Sequence, residues 1–232
     1  MITIRKKEQR MMLNLLEDYI WRSLPEWGDF STNPNLTRKV DGGGNFLPFY
    51  GNTVVFDLSE ETKAELQKLQ EELYAAAGWM LSRKLDPSTF HLTLHDLVNG
   101  PEMTGDLKQR MEAAEQKAKP ILESWKGRPP LRMKATWLFQ MVGTSVVLGM
   151  APADEDSRNR LEEMYTALES VVPLGYALTP HITMAYFRPG TYNRYDLDHL
   201  RKVLHSVELE AELPMEKLFY QEFWDMNHYE CI

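Results

Sequence analysis

Two stretches of the chain alternate apolar and polar side chains with a period of two: Phe90-His91-Leu92-Thr93-Leu94 and Pro180-His181-Ile182-Thr183-Met184. In an extended strand, residues i and i+2 share one face and their neighbours take the other. Each string therefore predicts a strand that turns a histidine and a threonine together to one side and packs its apolar residues behind them. Val54–Leu58 and Val146–Met150 read as further strands. Between strands the period changes. Leu66, Leu69, Leu73 and Ala76 or Ala77 fall at three-and-four spacing with Glu, Lys and Gln opposite, which predicts a helix. Leu161, Met164, Leu168 and Val171 predict another. Ser59 is the expected N-cap of the first helix and Asp154 or Ser157 of the second, with Gly78 and Pro173 near their ends.

The order strand, helix, His-x-Thr strand thus occurs twice with nearly constant spacing. Val54 to Glu71 is 17 residues and Val146 to Glu162 is 16; Glu71 to His91 is 20 and Glu162 to His181 is 19. The helices echo each other as Glu71-Glu72-Leu73-Tyr74-Ala75-Ala76 and Glu162-Glu163-Met164-Tyr165-Thr166-Ala167. Internal repetition of this kind implies one structural unit used twice. Two lobes about an approximate two-fold axis would bring His91 and His181 to a common cleft. The paired glutamates read as solvent-facing charge on the helices.

Outside the repeat, residues 1–24 read as a helix with Met12, Leu15, Leu16 and Tyr19 on one face, ended by Pro25. Residues 25–49 read as a long loop, and Gly42-Gly43-Gly44-Asn45 as a flexible connector, because no helix with Lys-Ser/Thr follows to make a phosphate cradle. A helix over Leu107–Trp125, a hairpin of Leu131–Gln140 and Ser145–Met150 turning near Gly143, a short helix over Leu197–Leu204 and one or two strands within Val207–Phe223 complete the reading. Residues 224–232 show no period. The organisation expected is an extension over 1–49 and a bilobal domain over 50–232.

Composition narrows the function classes. The formal charge of −8 argues against long duplex nucleic acid, whose phosphates are held by Lys and Arg, but leaves room for a nucleotide or an RNA end. A single cysteine, Cys231, permits no internal disulfide and fits a reducing compartment. No apolar run reaches the length of a membrane span, so no membrane contact and a cytoplasmic location are expected.

Histidine titrates near neutral pH, so two of them can divide base and acid work, and each comes here with a hydroxyl hydrogen-bond donor. That is apparatus for breaking a phosphate ester without a metal. His95 continues the spacing of His91 and Thr93 and is a candidate for the pocket wall. It has no histidine counterpart in the second copy, and His91 with His95 lacks the helix and third ligand of a zinc site. Tyr186 and Arg188 follow the second motif, and an aromatic ring and a guanidinium suit a base and a phosphate. Thr89 and Thr179 read as strand residues on the same face as the histidines.

With both motifs in view, residues 50–232 resemble the 2H phosphoesterase superfamily, defined by two His-x-Thr/Ser motifs with apolar flanks, which includes LigT-like RNA 2′-5′ ligases and cyclic phosphodiesterases. Pro180 and Ala185 also match the usual second motif, whereas Tyr186-Phe187-Arg188 differs from the Ala-Arg ending of the LigT-like branch. The resemblance implies an α+β fold of two pseudo-symmetric lobes of antiparallel sheet, with outer helices around a central cleft. It implies hydrolysis of a cyclic phosphodiester, such as a nucleoside or RNA-terminal 2′,3′-cyclic phosphate, or of a 2′-5′ linkage. In that reading His91 and His181 serve as general base and acid, Thr93 and Thr183 bind the non-bridging oxygens, and no cofactor is needed. The alternative is a catalytically weak nucleotide-binding module with the same pocket.

Overall fold

The structure, a computed structural model, describes residues 24–232. The helix expected over 1–24 lies, but for its last residue, outside the described residues.

The first repeat folds as strand β2 (Tyr50–Asp57), helix α1 (Glu60–Ala77) and strand β3 (His91–Gly100). The second folds as β5 (Ser145–Pro152), α3 (Glu155–Glu169) and β6 (His181–Tyr186). Ser59 caps α1, its hydroxyl accepting from the Thr62 N–H, and Asp154 caps α3 through the Ser157 N–H. Leu66, Leu73, Ala77, Leu161, Met164 and Leu168 are buried as the helical spacing requires. The glutamate pairs stay outside, where Glu71 meets Lys84 and Glu163 meets Arg128.

Between the repeats run α2 (Gly105–Trp125) and β4 (Leu131–Met141). After them come α4 (Arg194–Arg201), β8 (Glu210–Leu213), β9 (Leu218–Asp225) and β10 (His228–Cys231). A two-residue strand, β1 (Phe30–Ser31), pairs with β7 (Thr191–Tyr192). The other eight strands form one antiparallel sheet in the order β10-β9-β2-β3-β6-β5-β4-β8. Each lobe holds four adjacent strands, so the two lobes are the halves of one sheet. They join where β3 meets β6, and the two strands overlap only at their beginnings, through the single pair Leu92–Ile182.

Two loop readings change. Residues 25–49 carry β1, a 3-10 turn over Pro34–Arg38, and core residues Phe30, Leu36 and Val40. Gly42–Asn45 is a closed turn and no loose connector: the Asp41 carboxylate accepts from the N–H groups of Gly43 and Asn45, both at 2.8 Å. Gly44 sits at φ +85° with Ser82 Cα 3.3 Å from where a Cβ would stand, so glycine is required there. The aperiodic tail holds the end of β9 and then β10, an edge strand whose pairing with β9 needs no alternation of its own. No described helix is long and apolar enough to cross a membrane.

Candidate active site

Leu92 and Ile182 face each other across the seam, fully buried in the core. In an antiparallel pair this register sets His91 beside Thr183 and Thr93 beside His181, all four on the face opposite Leu92 and Ile182. The two histidines are diagonal neighbours, a relation that puts side chains about 7–8 Å apart. All four line one cavity of about 460 Å³. The expected meeting of the motifs is thus made by adjacent strands of a continuous sheet, with the local two-fold axis of the strand pair running between them.

Each imidazole is oriented by the same device. His91 Nδ1 lies 2.8 Å from the carbonyl oxygen of Thr89, and His181 Nδ1 lies 2.7 Å from that of Thr179. A carbonyl only accepts, so Nδ1 carries the proton and donates it, leaving Nε2 of each ring as the basic nitrogen. Thr89 and Thr179 are therefore not strand residues. Thr89 ends a 3-10 turn whose first residue, Pro87, follows the capping Asp86, and both strands begin only at the histidine. What their position supplies is the carbonyl that fixes a tautomer.

Burial holds His91 down, to about 4, and the positive charge His181 would carry adds to the shift; the Thr89 carbonyl and Asp96 oppose it. His181 is likewise lowered by burial, against the Thr179 carbonyl and Asp96. Both rings are consequently held in the neutral form at neutral pH.

A second symmetric device follows the motifs. Val55 pairs with Thr93 and Val54 with His95, so Leu94 is an extra residue in β3. Val147 pairs with Thr183 and Val146 with Ala185, so Met184 is the extra residue in β6. A bulge three residues after each histidine shifts the alternation by one. Leu94 and His95, like Met184 and Ala185, are consecutive buried residues. The next residue, Asp96 in one copy and Tyr186 in the other, then returns to the cavity.

His95 lines the cavity, as its place after the first motif suggested, although the bulge has broken the alternation that led to it. Its ring touches the cavity wall but is buried, 3.1 Å through Nε2 from Glu169 Oε1 and 5.1 Å from the Tyr165 ring. Tyr186 lines the cavity as expected. Arg188 does not: β6 ends at Tyr186, and the chain turns so that the Arg188 N–H bonds Met80 O, carrying the side chain beside Gly44.

Among the cavity residues that sequence reasoning passed over are Asp96, Lys39 and Tyr229. Asp96 is the one carboxylate in the lining among the described residues, and only the bulge, invisible to alternation, puts it there. Lys39 comes from the loop before β2, its Nζ 4.7 Å from the Phe49 ring centroid and 5.9 Å from that of Tyr186. Tyr229, on β10, meets the His91 ring edge-on at 5.0 Å. Burial raises the phenols of Tyr186 and Tyr229 well above their ordinary value, so both stay protonated donors. Among the described residues no group of three or more His, Cys, Asp or Glu is placed to hold a metal ion.

No family model and no curated protein matches the chain. Solved structures do. A conserved protein of unknown function from Agrobacterium tumefaciens, ATU0111, superposes with a TM-score of 0.65 over 93% of this chain and 96% of its own, at 20% identity. TT0787 of Thermus thermophilus gives 0.50 over 78% and 94%, at 15% identity. E. coli LigT complexed with 3′-AMP gives 0.47 over 79% and 95%, at 14% identity. The chain has the α+β fold of the Agrobacterium and Thermus proteins, and LigT and a phosphoesterase stand among its structural neighbours.

Proposed function

We propose that the chain is a 2H phosphoesterase that hydrolyses a cyclic phosphodiester, a nucleoside or RNA-terminal 2′,3′-cyclic phosphate or a related 2′-5′ linkage, without a metal. The observation that carries this reading is the paired tautomer lock: two imidazoles in one cavity, each donating from Nδ1 to the carbonyl two residues back and offering Nε2. One neutral Nε2 takes a proton from water as its oxygen attacks phosphorus. The other, protonated, gives its proton to the departing ribose oxygen. The anionic ester itself favours that protonation, because a negative charge beside a buried imidazole raises its pKa. Thr93 and Thr183, one beside each histidine, donate to the non-bridging oxygens, whose charge must be held through the transition state.

The test is incubation of the protein with nucleoside 2′,3′-cyclic phosphates in EDTA, followed by phosphorus NMR. Ring opening is expected, and His91→Ala and His181→Ala each reduce it by about 10²–10⁴-fold while leaving the fold intact by circular dichroism. Near-wild-type turnover in either folded variant refutes the assignment.

A further inference from the structure

A free carboxylate is an odd companion for an anionic substrate. The Asp96 carboxylate lines the cavity from an exposed position and makes no hydrogen bond or ion pair with any described residue. Its charge acts on most of the cavity, opposing the burial that lowers the pKa of His91, His181 and Lys39 and adding to the burial that raises the phenols of Tyr176, Tyr186 and Tyr229. A phosphodiester brought beside it is repelled unless another part of the same molecule repays the contact. A carboxylate can only accept, through two oxygens in one plane. The group it suits is therefore a pair of adjacent N–H donors.

Among the four bases guanine alone has such a pair, N1–H and the 2-amino group. Uracil flanks its N–H with carbonyl oxygens, and adenine and cytosine place an acceptor nitrogen beside the amino group. Guanine also needs a donor for O6, and Lys39 is the one Lys or Arg in the lining among the described residues. Phe49, Tyr186, Phe223 and Tyr229 add apolar ring faces along the same cavity. Resting on the phosphodiesterase reading above, we propose that Asp96 and Lys39 read a guanine base, so that the preferred substrate is guanosine 2′,3′-cyclic phosphate, free or at an RNA end.

The experiment compares kcat/KM for the four nucleoside 2′,3′-cyclic phosphates and the inosine analogue, in the wild type and in Asp96→Asn. A bidentate contact predicts a guanosine advantage of about 10- to 100-fold over the other bases. Inosine, which lacks the 2-amino group, loses most of it. In Asp96→Asn, whose amide keeps a single acceptor oxygen, the advantage collapses. Removing the charge also affects the histidines, but equally for every base, so the ratio isolates recognition. Calorimetric binding of 3′-GMP, 3′-AMP, 3′-CMP and 3′-UMP reads the same preference without turnover. Selective, Asp96-dependent GMP binding with no ring opening sustains the guanine assignment and removes the hydrolase reading. A flat ranking, another base first, or an advantage unchanged in Asp96→Asn overturns the assignment; no nucleotide binding at all overturns both.

Discussion

Replacing His91 with asparagine offers a test of the cavity's electrostatics that needs no substrate. In the folded chain burial holds His91 at about 4, whereas the unfolded chain returns it to its ordinary 6.5. Below pH 6.5 the unfolded state therefore binds a proton the native state refuses, and stability falls as the pH drops from 6.5 through 4. The difference between 6.5 and about 4 corresponds to roughly 3 kcal/mol once both states are below their midpoints. At pH 5 the unfolded imidazole is almost fully protonated and the folded one about a tenth, which gives roughly 2 kcal/mol. Urea unfolding of the wild type and His91→Asn at about pH 8 and pH 5 reads this term, since titrating groups that do not interact with His91 cancel in the difference. The variant is expected to gain roughly 2 kcal/mol relative to the wild type on going from about pH 8 to pH 5. A proton NMR titration of the His91 ring should show its midpoint near 4. A midpoint at or above 6.5, or a stability difference that ignores pH, would refute the reasoning.

Three further outcomes follow from the same geometry. Thr93→Val and Thr183→Val keep the shape but lose the donor, and each should lower kcat for cyclic-phosphate opening by about 10²–10³-fold, with serine restoring most of it. Asp96→Asn removes the charge that raises both imidazoles, so the alkaline limb of the pH–rate profile, set by the protonated acid, should move to lower pH. Gln70→Met leaves the carbonyls of Leu85 and Met184, each 3.1 Å from Gln70 Nε2, without their buried donor; thermal unfolding should report a loss of about 1–3 kcal/mol.

The duplicated strands and helices were legible because burial writes its period directly into the sequence. The alternation around His91 and His181 marked the four central residues, and the helical stripes marked α1 and α3. What alternation cannot encode is an interruption of itself. Leu94 and Met184 look like the next apolar step of their strands, yet each is a bulge, and the phase after it is inverted. That is why Asp96 did not read as a cavity residue. Lys39 and Tyr229 were hidden for a different reason. They reach the site from a loop and an edge strand distant in sequence, and only the assembled sheet brings them there. The tautomer-fixing carbonyls of Thr89 and Thr179 are backbone atoms, which a pattern of side chains does not show.

The single ladder pair at Leu92–Ile182 places the thinnest joint of the sheet between the four motif residues of the cavity. Beyond that pair the gap is bridged by other means: Ser82 N–H to Tyr186 O, the Leu81–Phe187 bridge and the Gln70 bond to Met184. A slight scissoring of one half against the other about this joint would change the separation of the two imidazoles. The spacing of the two imidazoles is thereby entrusted to side-chain and loop braces, and substitutions at those braces would reset it while leaving the four motif residues untouched.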